Sequence, residues 1–77
     1  MRVTVTVFGS LRRYIDSGTG AVTVGVAPGM TVAELADRLG IECKYVGFAS
    51  VNGTAVPDDT VLHDGDEVSF YEPVSGG

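Results

Sequence analysis

Valine occupies every second position in two stretches near the start of the chain, residues 3–7 and 22–26. Alternation of apolar and polar side chains is typical of a strand with one buried face. The two stretches are therefore predicted to be strands that pair as a hairpin. Between them, Ser10 is expected to cap a short helical turn over residues 11–15, because a serine oxygen can accept a hydrogen bond from a free helical amide.

A helix is predicted after the second strand. Thr31 and Glu34 have the spacing of a capping box, in which each side chain accepts a hydrogen bond from an amide at the helix start. Apolar side chains follow at helical spacing, and Gly40 provides a C-terminal stop. The apolar stripe consists of Val32, Leu35, Ala36 and Leu39.

Further strand signals follow the helix. Residues 48–56 are typical of a hairpin whose tight turn is Asn52-Gly53, and a last strand is predicted over 67–71. The order of elements predicts an α+β domain over residues 1–72, with the helix covering one face of the sheet. Residues 73–77 are expected to form a mobile tail, because they have no packing signal.

Three aromatic side chains break the alternation of the predicted strands. If the valines face the core, then Phe8, Phe48 and Tyr71 lie on the opposite, uncovered face of the sheet. An exposed aromatic group usually marks a surface that binds a partner. Alternatively, Phe8 and Tyr71 tuck under loops where their strands end, and the pattern alone leaves both interpretations open.

The composition excludes several kinds of site. Cys43 is the single cysteine and His63 the single histidine. An internal disulfide, a four-thiolate zinc site and a histidine pair for a metal are therefore excluded. We expect neither a bound cofactor nor a metal.

The charge argues against one class of partner. Ten acidic against five basic residues give a formal net charge of −5 and a pI near 4.4. This balance is opposite to that of a nucleic-acid-binding domain, and it suits either a basic partner surface or simple solubility. Residues 1–10 lack the features of a signal peptide, and no apolar stretch is long enough to span a membrane, so we expect a cytoplasmic protein that does not bind membranes.

The sequence ends in Gly76-Gly77. Two residues without a Cβ can enter a channel that is too narrow for side chains. The terminal carboxylate is ionised at neutral pH and is a poor electrophile. It would react with a nucleophile only after activation, for example as an acyl-adenylate.

Two segments carry a family resemblance. Residues 5–12 (VTVFGSLR) and 64–77 (DGDEVSFYEPVSGG) resemble the MoaD/ThiS family of ubiquitin-like sulfur carriers. They are more similar to the MoaD members, the small subunits of molybdopterin synthase, because ThiS chains typically lack the segment 8–12. The resemblance implies a ubiquitin-like β-grasp fold, with a mixed sheet packed on one main helix and a flexible Gly-Gly tail. This sequence differs from the family pattern at Glu72, where the family often has a proline.

The resemblance also implies a function. A MoeB/ThiF-type enzyme would use ATP to adenylate Gly77, which Gly76 makes accessible, and the adenylate would become a thiocarboxylate. The thiocarboxylate would donate sulfur to the molybdopterin precursor on a MoaE-type large subunit. On this interpretation the chain is a non-catalytic, sulfur-donating subunit with no activity alone. The residues expected to contact partners are Phe8, Arg12, Phe48, Tyr71, Pro73 and Val74.

Other outcomes for the same carboxylate stay open. The sulfur could serve thiamine synthesis, tRNA thiolation or cysteine synthesis. As a ubiquitin-like modifier, the chain would instead form amides with lysines of target proteins. A third possibility is an interaction module whose Gly-Gly end is incidental, since one fold can host many functions.

Overall fold

Five strands form one mixed sheet in the computed structural model, which describes residues 1–15, 20–42 and 45–73. The strands are β1 (Arg2–Val7), β2 (Ala21–Gly25), β3 (Phe48–Val51), β4 (Thr54–Val56) and β5 (Glu67–Tyr71). Their order across the sheet is β2-β1-β5-β3-β4. The central pair, β1 and β5, is parallel, and the other pairs are antiparallel. A 3₁₀ helix, Gly9–Tyr14, follows β1, and the helix α1 spans Val32–Arg38.

The alternating valines of β1 form the centre of the core. Val5 pairs with Val68 and Val7 with Phe70 across the parallel β1–β5 ladder, and all of these side chains are buried. Burial of this apolar surface is the main stabilising contribution to a domain of this size. Side chains from the 3₁₀ helix, from α1 and from the segments around them complete the core; they include Leu11, Ile15, Val32, Leu35, Ala36, Ile41 and Leu62.

The helix α1 begins and ends where the sequence predicts. The Thr31 hydroxyl accepts a hydrogen bond from the Glu34 amide at 3.3 Å, and the Glu34 carboxylate accepts one from the Thr31 amide at 3.0 Å. Both halves of the capping box are therefore present. At the other end, Gly40 has a left-handed φ of 81°, a conformation that glycine adopts without strain and that commonly ends a helix.

The prediction that Ser10 caps the turn after β1 is wrong. Phe8 stands at the N-cap position of the 3₁₀ helix, and no side chain there caps the helix. Gly9 turns the chain with a φ of 65°, so that Ser10 lies inside the helix instead of preceding it. Its hydroxyl instead donates a hydrogen bond to the carboxylate of Glu72 at 2.6 Å.

The C-terminal segment of the chain is described only as far as Pro73. Val74, Gly76 and Gly77 lie outside the described residues, so the tail over 73–77 stays a prediction. No helix in the described ranges is long and apolar enough to cross a membrane. The same ranges contain no group of three or more histidine, cysteine, aspartate or glutamate side chains placed to hold a metal ion.

Candidate functional site

Three aromatic rings stack side by side at one end of the sheet. Tyr71 lies between Phe8, at 4.7 Å between ring centroids, and Phe48, at 4.3 Å. The ring planes are nearly parallel, with angles of 2° and 8°. We call Phe8, Tyr71 and Phe48 the aromatic row.

The strand register builds the aromatic row. Phe48 of β3 is directly opposite Tyr71 of β5. On the other side, the Phe8 amide donates a hydrogen bond to the Phe70 carbonyl at 3.1 Å, which places Phe8 beside the end of β5. Because successive side chains of a strand point to opposite faces, the register that buries Phe70 brings these three rings together on the other face.

The aromatic row is open to solvent at both ends. Phe8 is 43% exposed and Phe48 is 49% exposed, while Tyr71 between them is partly buried. These exposures exclude the alternative that Phe8 is covered by a loop. The same face of the sheet otherwise carries small polar side chains, among them Thr4, Thr6, Ser50 and Ser69. An apolar group of this kind on a polar face is typical of a partner-binding surface.

The chain leaves the sheet close to Gly47. The Gly47 amide donates a hydrogen bond to the Tyr71 carbonyl at 2.7 Å. A Cβ at Gly47 would lie 2.7 Å from both the Glu72 carbonyl oxygen and the Pro73 Cα, which is closer than real Cβ atoms approach. Only glycine therefore lets the segment Glu72-Pro73 cross at this point. The role of Gly47 is not visible in the sequence, because a glycine before a strand gives no indication of which other segment will pack against it.

On the side opposite Gly47, Glu72 is held by Ser10. Both the amide of Ser10, at 3.0 Å, and its hydroxyl, at 2.6 Å, donate to Oε2 of Glu72. The hydrogen bond from the Ser10 hydroxyl, and then that from its amide, hold the pKa of the Glu72 carboxyl below its ordinary value. A Cβ on Gly9 would overlap this carboxyl group, so the glycine also provides the space that Glu72 occupies.

The remaining predicted contact residues lie around these features. Arg12 is exposed on the 3₁₀ helix that follows Phe8, and Pro73 is exposed immediately after Glu72. Arg13, which follows Arg12, lies over the rings of Tyr14 and Tyr45, with its guanidinium carbon 5.3 and 5.8 Å from the ring centroids. This cation–π cluster could not be predicted from the sequence, because Arg13 and Tyr45 are far apart in the chain.

A groove with a volume of about 590 Å³ lies between α1 and β3, and its lining includes Gly47 and Phe48. Its described lining is apolar with a few carboxylates at Asp37, Glu42 and Asp58, and it includes neither a histidine nor a hydroxyl nucleophile. The groove thus offers no nucleophile–base pair among the described residues.

Known proteins that are similar to this chain include members of a sulfur carrier family. The model of the ThiS family matches residues 5–77. The molybdopterin synthase sulfur carrier subunit of Mycobacterium tuberculosis is 39% identical to this chain, over 100% of this chain and 99% of that protein.

Two solved structures show the same fold. The structure of SAMP1, small archaeal modifier protein 1 of Haloferax volcanii, superposes with a TM-score of 0.75 at 25% identity and full coverage of both chains. A chain from the Helicobacter pylori complex of subunits 1 and 2 of molybdopterin-converting factor has a TM-score of 0.65 at 24% identity, again with full coverage of both chains. The predicted α+β architecture, a ubiquitin-like β-grasp with a mixed sheet and one main helix, is confirmed. The match over residues 5–77 and the identity along the whole chain also confirm the resemblance found in the sequence, and the chain belongs to the ThiS family.

Proposed function

We propose that this chain is a sulfur carrier whose C-terminal Gly77 accepts and donates sulfur as a thiocarboxylate. The observation that carries the proposal is the 39% identity, along the whole chain, to a protein named as the sulfur carrier subunit of molybdopterin synthase. The family match, which extends to residue 77, supports it. In the described domain, the aromatic row lies beside Glu72 and Pro73, where the chain leaves the sheet, and this arrangement suits delivery of a terminal group to a partner.

The proposed chemistry begins with activation of the Gly77 carboxylate. A carboxylate oxygen attacks the α-phosphorus of ATP on a MoeB/ThiF-type enzyme, and pyrophosphate leaves. The terminal sulfur of a protein persulfide then attacks the acyl carbon, and AMP leaves with the electron pair of the acyl–oxygen bond. A thiol then attacks the donor protein's sulfur and forms a disulfide with it, and the S–S bond to the acyl sulfur breaks to release the thiocarboxylate. ATP is thus consumed on the activating partner, and this chain supplies the carboxylate and the surface that presents it.

The proposed acceptor complex contains a MoaE-type large subunit that holds the molybdopterin precursor. The name of the Mycobacterium tuberculosis relative supports this pathway above the other sulfur acceptors. The aromatic row is the expected contact surface, together with Arg12, Pro73 and Val74. Large, rigid aromatic side chains are common centres of protein interfaces because they bury much area at a small cost in conformational entropy.

A second candidate function is that of a protein modifier. The 25% identity to SAMP1, whose full name includes the word modifier, favours it. The same activated Gly77 would then form an amide with a lysine of a target protein. Only the acceptor distinguishes the two functions, because both begin with the same adenylate.

One reconstitution experiment distinguishes these acceptors. The thiocarboxylated chain is incubated with a MoaE-type subunit and the molybdopterin precursor, and in parallel with a thiazole synthase and its substrates. We expect dithiolene formation in the first reaction, accompanied by return of the Gly77 thiocarboxylate to the carboxylate. Sulfur transfer only in the second reaction, or amide conjugates to lysines in place of transfer, would refute the molybdopterin assignment.

A further inference from the structure

The carboxylate of Glu72 lies over the first turn of the 3₁₀ helix, although the two are far apart in sequence. It accepts hydrogen bonds from the amide and the hydroxyl of Ser10, a residue 62 positions away. The first amides of a helix have no partner within the helix, and Phe8 at the N-cap position cannot provide one. Glu72, the residue just after β5, therefore acts as the helix cap.

Two glycines allow this arrangement. Gly9 leaves room for the Glu72 carboxyl group above the helix start, and Gly47 leaves room for the backbone of Glu72 and Pro73 on the other side. The Gly47 amide also binds the Tyr71 carbonyl at 2.7 Å. Glu72 is thus held through its side chain by Ser10, and the backbone just before it, at Tyr71, is held by Gly47.

We propose that Ser10 and Glu72 are positioning residues, an exit clamp that fixes the direction in which the C-terminal segment leaves the domain beside the aromatic row. This inference rests on the proposed function. A partner that binds the aromatic row must also receive Gly77 in its active site. With the exit clamp in place, the C-terminal segment already has less conformational freedom in the free chain. It therefore loses less when the partner binds the aromatic row and receives Gly77.

The exit clamp should act on recognition more than on chemistry. Ser10 and Glu72 stand before residues 74–77 and do not belong to the reacting group. Preorganisation improves binding by reducing the ordering cost, and it leaves the chemical step unchanged once the terminus is bound. Loss of the exit clamp should therefore raise the KM for this chain in adenylation and leave kcat unchanged.

The test is ATP–pyrophosphate exchange catalysed by a MoeB/ThiF-type enzyme with the full chain as substrate. For Ser10→Ala and for Glu72→Ala we expect KM to rise about threefold to tenfold, the range that corresponds to ordering one side chain at an interface. Ser10→Ala keeps the hydrogen bond from the backbone amide and should have the smaller effect, and because the two residues form one contact, the double variant should be no worse than Glu72→Ala alone. Ser10→Thr, which keeps the hydroxyl, should restore the native KM.

Glu67→Gln is the matched control, since Glu67 is an exposed carboxylate at the opposite end of β5. It should leave KM at the native value. An unchanged KM in Ser10→Ala and Glu72→Ala, a fall in kcat alone, or fully additive effects in the double variant would overturn the proposal.

A second readout does not depend on activity. The backbone order parameter of Glu72, measured by ¹⁵N relaxation, should be that of rigid backbone, about 0.85, in the native chain and should fall in Ser10→Ala. An unchanged value in the variant would overturn the exit clamp. If the native chain itself is not adenylated, the proposed function fails, and this measurement still decides whether the exit clamp exists.

Discussion

Phe48 and Tyr71 lie directly opposite each other on β3 and β5, with their ring centroids 4.3 Å apart. The next pair along the ladder, Ala49 and Phe70, points into the core. A register shift of one residue would exchange the two faces, burying the exposed ring and exposing the buried one. The position of the aromatic row is therefore determined by core packing, and the surface and the fold are specified together.

The first prediction concerns partner binding by the aromatic row. Tyr71→Ala should weaken binding to a MoaE-type subunit by about 2 kcal/mol, more than Phe8→Ala or Phe48→Ala, because Tyr71 stacks on both neighbours. Isothermal titration calorimetry provides the measurement. Val61→Ala is the control, since Val61 is an apolar side chain outside the aromatic row and its exposure, 44%, is close to that of Phe8. Equal losses for Val61→Ala and Tyr71→Ala would contradict the assignment.

The second prediction separates the buried aromatic side chain from an exposed one. Phe70 is 1% exposed, so Phe70→Ala should cost about 3–5 kcal/mol of the free energy of unfolding, a large share of the stability of a small domain. Phe48 is 49% exposed, and Phe48→Ala should cost about 0.5–1.5 kcal/mol, the contribution of one aromatic pair. Denaturant titration followed by circular dichroism tests both values. Similar losses for the two variants would contradict the described register.

Much of the fold could be predicted because its signals are local. The hairpin over residues 48–56 and the strand 67–71 have the bounds that the sequence predicts, and Thr31 and Glu34 form the predicted capping box. The alternation also placed the aromatic side chains on the uncovered face. These features depend on neighbours within a few positions, which one sequence displays directly.

The exit clamp and the stacking of the row could not be predicted in this way. Ser10 and Glu72 meet because the parallel pairing of β1 and β5 brings the ends of both strands to the same edge of the sheet. A pattern within one segment does not specify that pairing. The expected cap at Ser10 was wrong because Gly9 turns the chain and places Ser10 inside the helix, and the carboxylate that binds Ser10 comes from Glu72, just after β5. The role of Gly47 likewise depends on the segment that crosses it.

The third prediction concerns the start of α1. Thr31→Ala removes the hydroxyl that accepts the hydrogen bond from the Glu34 amide, and it should lower the free energy of unfolding by about 0.5–2 kcal/mol. Thr31→Ser keeps that oxygen and should retain most of the stability. The measurement is the midpoint of urea unfolding for the two variants. If Thr31→Ser lost as much as Thr31→Ala, the hydrogen bond would not be the stabilising element.

The fourth prediction concerns pH. Hydrogen bonds from the Ser10 hydroxyl and amide lower the pKa of the Glu72 carboxyl in the folded chain. A carboxyl whose folded pKa is below its unfolded value stabilises the fold above the unfolded pKa, and it loses that contribution as the pH falls through the folded pKa. The exit clamp should therefore be closed at neutral pH and open only in acid.

An NMR titration of the Glu72 side-chain carboxyl carbon tests this prediction. The pKa should lie below the ordinary glutamate value in the native chain, and it should rise toward that value in Ser10→Ala, which removes the larger of the two causes. Thr31→Ala, which changes a distant cap, serves as the control and should leave the Glu72 pKa as in the native chain. The same Glu72 pKa in native and Ser10→Ala chains would contradict the described contact.

Intact-mass spectrometry tests the central claim most directly. The chain is incubated with a MoeB/ThiF-type activating enzyme, ATP and a sulfide source, and its mass is compared with that of a Gly77-deleted chain and of a chain extended by one alanine. Neither control should unfold, since neither changes the core. We predict that the native chain gains the mass difference of one oxygen exchanged for one sulfur, and that neither control does. An unchanged native mass, with the enzyme active on its own carrier protein, would contradict the proposal that Gly77 carries sulfur.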